Sequence, residues 1–186
     1  YAAYGSVDWD FAERWMLTVG LRYSYEETDF NGGTNATLID SAAFDAFVGA
    51  ELVIPNGTTL PFTFVDDSID DDRVDYRVAL EFRPTDDILT YGSVTSGFKS
   101  GGYCGDFTFD QIELEPFDSE TVTAFEVGAK ATMAEGAVQL NGAVFYYDYE
   151  DIQTVVPAGV AFKLDNLDGA DIYGAEVELL ATPMDG

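Results

Sequence analysis

The sequence predicts an all-β fold: an antiparallel up-and-down transmembrane β-barrel, of which this chain forms an incomplete segment of about seven strands. Three observations support this prediction. The clearest segments alternate between apolar and polar residues, the connections alternate between short and long, and aromatic residues bracket the apolar stretches at a spacing that suits a bilayer.

The first two strands are predicted at residues 1–9 and 15–27, on either side of a short turn. In the second strand, every odd-numbered residue from Trp15 to Tyr25 is large and apolar or aromatic, whereas the even-numbered residues include Arg22. A period of two places successive side chains on opposite faces of a sheet. A long connection rich in Gly, Asn, Thr and Asp then covers about 28–71.

The third strand, predicted at residues 73–83, alternates most clearly. Its apolar face carries Val74, Tyr76, Val78, Leu80 and Phe82. Its other face is charged except at Ala79 and carries Arg73, Asp75, Arg77, Glu81 and Arg83. The strand ends at a turn rich in Pro and Asp, which are good turn formers.

The remaining four strands alternate less evenly, and the fourth alternates poorly. They are predicted at 88–97, 120–131, 137–149 and 173–181. Long loops are predicted from 98 to about 118 and from 150 to about 170, and short turns at 132–136 and 183–186.

The connections therefore alternate strictly between short and long along the chain. In an up-and-down antiparallel sheet, this order places every short turn at one end and every long loop at the other. Outer-membrane barrels have short periplasmic turns and longer extracellular loops. A soluble sandwich has no comparable reason to segregate its loops.

The spacing of aromatic residues agrees with a bilayer. Trp15 and Tyr25 bracket the apolar face of the second strand. Ten residues at ~3.3 Å, tilted by ~40–45°, span ~23–25 Å, close to the ~25 Å apolar band between aromatic girdles. Other candidate girdle residues are Tyr76, Phe82, Tyr146 and Tyr173. The alternative is that aromatic residues simply favour strands.

Composition excludes several kinds of protein. The 186-residue chain has no histidine, a single cysteine and a net charge of −27. Without histidine it lacks the usual acid–base group near neutral pH, and its acidic balance predicts no nucleic-acid partner. No apolar run approaches the ~18 residues of a transmembrane helix, and no signal peptide opens the chain. We therefore expect an internal piece of a longer protein, whose two open sheet edges are closed by further strands.

Several local patterns suggest chemistry that the sequence does not sustain. Residues 92–100 look like a phosphate-binding loop, but Phe98 interrupts the motif and no helix follows. Five carboxylates within 66–72 could chelate calcium, yet they lack the Gly and distal Glu of an EF-hand, which favours a solvated loop end. Glu176 and Glu178 share a strand face like a glycosidase pair, but a polar barrel interior explains them equally well. The sequence thus predicts no enzyme, with no catalytic, cofactor-binding or metal-ligating residue and no cofactor.

The long loops leave other interpretations open. Residues 28–72 contain nine acidic residues and no basic one, which could attract cations or merely solvate the surface. Three aromatic residues of the second loop could stack on a ligand or pack against their own loop: Tyr103, Phe107 and Phe109. Cys104 is interpreted as an incidental small residue, and the sequons at 35–37 and 56–58 carry no meaning in a bacterial outer-membrane protein.

A family resemblance begins at residues 91–103, YGSVTSGFKSGGY, which resemble the strand-and-loop signature of TonB-dependent outer-membrane receptors. Pro116, Glu120 and the FEVGAK run at 125–130 follow in that family's order, although the residues before Glu120 depart from its usual Pro-Glu dipeptide. Residues 140–153 resemble that family's next strand, and Asn166 with residues 174–179 resembles the strand after it. The motifs together cover roughly 75–186.

The resemblance implies a 22-stranded barrel plugged by an N-terminal domain, with residues 1–186 forming part of one barrel domain. It implies uptake of a scarce nutrient, most often an iron–siderophore complex, driven by the inner-membrane protein TonB. The expected partners are the outer-membrane lipid bilayer, the protein's own plug domain, TonB and the nutrient ligand. The residues expected to face the barrel interior, toward plug or water, are Arg22, Arg73, Arg77, Arg83, Glu126, Lys130, Glu176 and Glu178. The alternatives are a passive porin-like channel and a soluble secreted β-sandwich that binds glycans.

Overall fold

The computed structural model describes residues 1–37, 58–61, 63–104, 111–158 and 161–182. Seven long strands form one antiparallel sheet in the order β1-β2-β5-β6-β7-β8-β9. They are β1 (Ala2–Ala12), β2 (Trp15–Gly32), β5 (Val65–Thr85), β6 (Ile88–Lys99), β7 (Glu120–Met133), β8 (Val138–Ala158) and β9 (Ala161–Ala181). A separate two-stranded hairpin pairs β3 (Asn35–Thr37) with β4 (Thr59–Pro61).

The rest of the described chain contains little regular structure. Two short 3₁₀ turns lie at Gln111–Leu114 and Ala134–Gly136. None of the helical segments in the described ranges is long and apolar enough to cross a membrane.

The sheet confirms the predicted all-β, up-and-down order, and it does not close on itself. Every neighbouring pair of long strands is antiparallel, while β1 and β9 each have one partner within the described part of the chain. Only four apolar side chains in that part are buried, namely Ala79, Cys104, Leu114 and Ala158. The soluble sandwich is therefore wrong for this chain, because the described residues place no second sheet against the seven-stranded one and bury too few apolar side chains for a sandwich core.

Several strands are longer than the sequence indicated. The predicted connection at 28–71 is wrong at both ends, because β2 continues to Gly32 and pairs with β5 back to Val65. The predicted loop before residue 170 is likewise mostly strand, since β8 and β9 remain paired up to Ala158 and Ala161. In both hairpins, backbone hydrogen bonds to a neighbouring strand sustain extended structure through residues whose side chains do not favour strands.

The register places the apolar residues of adjacent strands side by side. Val78 lies opposite Val19 on β2 and Val94 on β6, and Val127 lies opposite Val144 on β8. We call this side of the sheet the apolar face. Many of its side chains are exposed in the isolated sheet, including Val177 at 78%. Such a continuous exposed apolar surface requires an apolar environment outside it.

Aromatic side chains mark both margins of the apolar face. At the short-turn end, Trp15 stacks on Phe82 with 4.4 Å between ring centroids. Toward the long-loop end, Tyr1 stacks on Tyr25 at 5.1 Å. Further along the sheet, Tyr146 and Tyr173 are cross-strand partners, as expected for girdle residues.

Candidate functional site

The opposite side of the sheet, here called the polar face, gathers all eight charged residues predicted to face the barrel interior. The pairings that place them there include Arg22 with Asp75, Ser24 with Arg73, Gly20 with Arg77, Ser93 with Glu126, Leu89 with Lys130, Ala143 with Glu176 and Asn141 with Glu178. Arg83 joins this face by an ion pair with Glu81 at 3.3 Å. The eight charged residues therefore lie on one face of the sheet, as the alternation predicted.

Near the short-turn end, the polar face forms a connected cluster. The Tyr91 hydroxyl donates to Glu126 Oε1 at 2.6 Å, and Lys130 Nζ lies 5.9 Å from the centre of the Tyr91 ring. On the next strands, Asn141 Nδ2 donates to Glu178 Oε2 at 2.9 Å. These side chains surround a shallow cavity of about 200 Å³. Hydrogen-bonded carboxylates and a lysine beside an aromatic ring suit a surface that faces water or another polar protein surface.

The sequence pattern gave no indication of the aromatic side chains on the polar face. Tyr91 belongs to the poorly alternating strand, and register shows why: its apolar-face positions are small, Thr90 and Gly92, while the large side chain points to the polar face. On β8, Phe145 and Tyr147 also share the polar face and stack at 4.9 Å. No alternation pattern could have indicated them, because their hydrophobicity reverses the expected order.

Two of these aromatic rings pack over glycines. A Cβ atom at Gly128 would lie 2.6 Å from the Tyr91 ring, and one at Gly174 would lie 2.7 Å from the Phe145 ring. Each glycine therefore provides the space in which a neighbouring strand's ring lies flat. Such aromatic–glycine pairs help to fix the register between strands.

The strands do not all end at the same level on the long-loop side. The β6 and β7 strands stop at Lys99 and Glu120, whereas β5 on one side and β8 on the other continue well beyond their last pairings with them. This leaves a gap in the edge of the sheet, here called the rim gap. The described parts of the loop between β6 and β7, residues 100–104 and 111–119, contact both taller hairpins.

On the β2–β5 side, hydrogen bonds and one aromatic stack hold the described parts of this loop. Arg73 Nη2 donates to Ser119 Oγ at 2.8 Å, and the Gln111 side chain hydrogen-bonds both the N–H and the C=O of Phe64. Tyr103 stacks on Phe30 at 5.0 Å. Of the two interpretations of the loop aromatics, the structure supports packing for Tyr103; Phe107 and Phe109 lie outside the described residues.

Cys104 and Leu114 are buried by the packing of the loop. Cys104 is only 7% exposed and Leu114 only 2%, so both serve the packing of the loop. Burial, followed by the nearby Asp67 carboxylate, raises the pKa of the Tyr103 hydroxyl, which therefore stays protonated at neutral pH.

Lys163 of β9 attaches the loop to the β8–β9 hairpin through an ion pair with Glu115. Lys163 Nζ lies 3.1 Å from Asp165 Oδ2 and 3.4 Å from Glu115 Oε2. The hydrogen bond to Asp165 is the main reason that the pKa of Lys163 is raised, and the same bond lowers the pKa of Asp165. These residues lie beyond the Tyr146–Tyr173 pair, outside the apolar band.

The ion pair between Lys163 and Asp165 predicts a specific pH dependence. Its stabilisation is fully present between the ordinary pKa values of 3.8 for Asp and 10.5 for Lys. It is lost as the pH falls through the lowered pKa of Asp165 or rises through the raised pKa of Lys163. Lys163→Met should therefore lower the thermal midpoint slightly at neutral pH and converge with wild type at both extremes. A difference that grew in strong acid would contradict this assignment.

The sequence patterns that suggested ion binding or catalysis gain no support. No group of three or more carboxylate or thiol residues is placed to hold a metal ion in the described ranges. The carboxylates at 66–72 lie within β5 rather than at a loop end, which corrects that interpretation. Glu176 and Glu178 line the polar face, and Glu178 accepts a hydrogen bond from Asn141. Residues 92–99 are strand, and the second sequon lies partly outside the described residues.

A match to a known family accounts for both faces and for the segregated loops. The family model described as "TonB dependent receptor-like, beta-barrel" matches residues 1–182. The chain belongs to the TonB-dependent receptor family. Members of this family lie in the Gram-negative outer membrane, where barrels present an apolar band to lipid and have short periplasmic turns and longer extracellular loops.

Individual relatives agree with the family assignment. The pesticin receptor of Yersinia enterocolitica is 25% identical over 178 residues, which are 95% of this chain and 23% of that protein. The crystal structure of the ferric yersiniabactin uptake receptor FyuA from Yersinia pestis matches 96% of this chain and 23% of its own, with 24% identity and a TM-score of 0.66. The copper transporter OprC matches with a TM-score of 0.68 at 14% identity, which shows the shared fold alone. The chain therefore spans about a quarter of the length of these relatives.

Proposed function

We propose that this chain forms part of an outer-membrane receptor that imports an iron–siderophore complex with energy supplied through TonB. The supporting observation is the similarity of nearly the whole chain to a receptor described as taking up ferric yersiniabactin. Family membership favours this active transport over a passive porin-like channel. The related proteins are receptors and transporters, and we infer that this protein is likewise not an enzyme.

The proposal assigns a role to each face of the sheet. Residues 1–182 would supply seven strands of a single barrel domain, and the two sheet edges at β1 and β9 would pair with further strands. The polar face would contact the protein's own plug domain or interior water. Its cluster of Tyr91, Glu126 and Lys130 offers hydrogen-bonding and charged groups to such a polar partner. Unpaired edges within a bilayer would leave backbone groups unsatisfied at several kcal/mol each, so closure is a physical requirement.

Uptake measurements test this function directly. The gene for the full-length receptor should be deleted and restored, and cells should be supplied with radioactive iron bound to siderophores of different chemical classes. We expect uptake of at least one complex only in the restored strain, and we expect deletion of TonB to abolish it. Uptake that continued without TonB would favour a passive channel. Absence of uptake for every iron complex, with the barrel present in the membrane, would argue against an iron–siderophore cargo.

A further inference from the structure

The rim gap is as deep as the extension of β8 beyond its last residue pair with β7. Beyond the outermost β7–β8 pair, Thr121 with Glu150, strand β8 continues through residues 151–158. At ~3.3 Å per residue, this extension runs roughly 26 Å along the strand beyond the end of β7. The described parts of loop 100–119 lie between this extension and the β2–β5 hairpin. The position of this loop therefore decides whether the extracellular part of the wall is continuous.

Two amide side chains hold the base of the loop at one point. Gln153 and Asn166 are direct cross-strand partners on β8 and β9. Gln153 Nε2 donates to the carbonyl oxygens of Ser100 at 2.8 Å, Asp118 at 3.0 Å and Lys99 at 3.3 Å. Gln153 also contacts the first residue of β7, because its backbone N–H donates to Glu120 Oε2 at 2.8 Å.

Asn166 completes the attachment from the opposite strand. Its Nδ2 donates to the carbonyl oxygens of Asp118 at 3.0 Å and Asp151 at 2.7 Å, while its Oδ1 accepts from the Asp118 N–H at 2.7 Å. Asp151 has a left-handed φ of 54° and no partner among the pairings of the β8–β9 ladder, so its carbonyl is available to a side chain. Asn166 therefore satisfies backbone groups at a break in the ladder and at the loop base together.

We propose that Gln153 and Asn166 are paired positioning residues that clamp the described parts of the loop, residues 100–104 and 111–119, into the rim gap and so complete the extracellular wall of the receptor. Both side-chain amides donate to the carbonyl oxygen of Asp118, which a side chain without a hydrogen-bond donor cannot do. A carboxylate of the same shape would place negative charge against these carbonyls, and at position 153 also near Glu120. Further contacts with the described parts of the loop come from Arg73, Lys163 and the backbone of Phe64.

The buried thiol of Cys104 reports directly on this clamp. It lies in the described part of the loop and is only 7% exposed, so a membrane-impermeant maleimide should react slowly with the full-length wild-type receptor on intact cells. Asn166→Asp and Gln153→Glu should each accelerate labelling of Cys104 by roughly tenfold, because each removes donor hydrogen bonds to the loop base. Peptide mass mapping identifies the labelled residue.

The matched control is Asn141→Asp, which removes the hydrogen bond to Glu178 at the short-turn end of the same strand. Its Cys104 should react as in wild type. Heat-modifiable mobility on electrophoresis shows whether each barrel has assembled, and if Asn166→Asp fails to assemble, Gln153→Glu decides the outcome. Unchanged labelling in the assembled clamp variants, or equal acceleration in the Asn141→Asp control, would overturn the proposal.

The paired action of the two amides is tested by combining the variants. Because both donate to the Asp118 carbonyl, the double variant should label less rapidly than the product of the two single accelerations predicts. A fully multiplicative result would show two independent attachments and overturn the pairing. A second measurement rests on the proposed function. In the Asn166→Asp and Gln153→Glu receptors, the cargo concentration for half-maximal uptake should rise while the maximal uptake rate stays unchanged. Labelling remains informative even if the cargo is not a siderophore, so the two proposals can fail separately.

Discussion

Replacing Val78 with arginine should block insertion of the full-length barrel, and Val177→Arg should do the same. Both residues lie on the apolar face, and Val78 sits near its middle, between Val19 and Val94. An arginine facing lipid at the bilayer midplane costs roughly 2–4 kcal/mol, falling to about 0–1 near the interfaces. We therefore expect the larger loss for Val78→Arg, measured as the fraction of receptor that reaches the outer membrane in heat-modifiable form.

Thr18→Arg is the matched control for this experiment. Thr18 adjoins Val19 in sequence but lies on the polar face, where its hydroxyl donates to Asp8 at 2.7 Å. An arginine there would meet a carboxylate and water instead of lipid, so assembly should be close to wild type. Normal insertion of both valine variants would refute the lipid-facing assignment of the apolar face.

Gly128→Val should destabilise the barrel by about 1–3 kcal/mol, the usual range for overpacking a fitted site. The new Cβ would lie 2.6 Å from the Tyr91 ring, which is held in place by its hydrogen bond to Glu126. The ring would have to leave its position over the glycine, and that hydrogen bond would break or distort. The thermal midpoint of the heat-modifiable band measures the loss.

Two further variants separate this clash from a general effect on the strand. Gly92→Ala, on the neighbouring strand, would place its Cβ 3.8 Å from the Val127 side chain, which is an ordinary van der Waals contact, and should be tolerated. In a Tyr91→Ala background, Gly128→Val should cost clearly less, because the ring that it displaces is absent. An equal cost in both backgrounds would show that the Tyr91 ring is not the cause.

The two faces of the sheet could be predicted because the alternation is local. A period of two needs no knowledge of the partner strand, and it correctly separated Val78 from Arg77 and Val177 from Glu178. The order of the strands was also predictable, since consecutive antiparallel strands are usually neighbours. The predicted alternation of connection lengths fails at its third long loop, because β8 and β9 stay paired up to Ala158 and Ala161. The charged interior wall followed from the alternation of residues and the order of the strands.

The ends of the strands could not be predicted in the same way. The carboxylates of residues 66–72 favour loop structure by themselves, yet they form strand because β2 pairs with them up to Gly32. In the same way, Gln153 and Asn166 belong to family-like motifs whose residues gave no indication of what they contact. Their role depends on Asp118, which is distant in sequence and becomes adjacent only when β7, β8 and β9 have paired.

The sequence by itself determined that this protein is a strand-built wall with one face for lipid and one for the barrel interior, because side-chain direction in a strand depends only on residue parity. Only the tertiary structure decided how far each strand extends, where the rim gap opens and which side chains close it. Those features depend on register and on hydrogen bonds between residues far apart in the chain, and no local pattern records them.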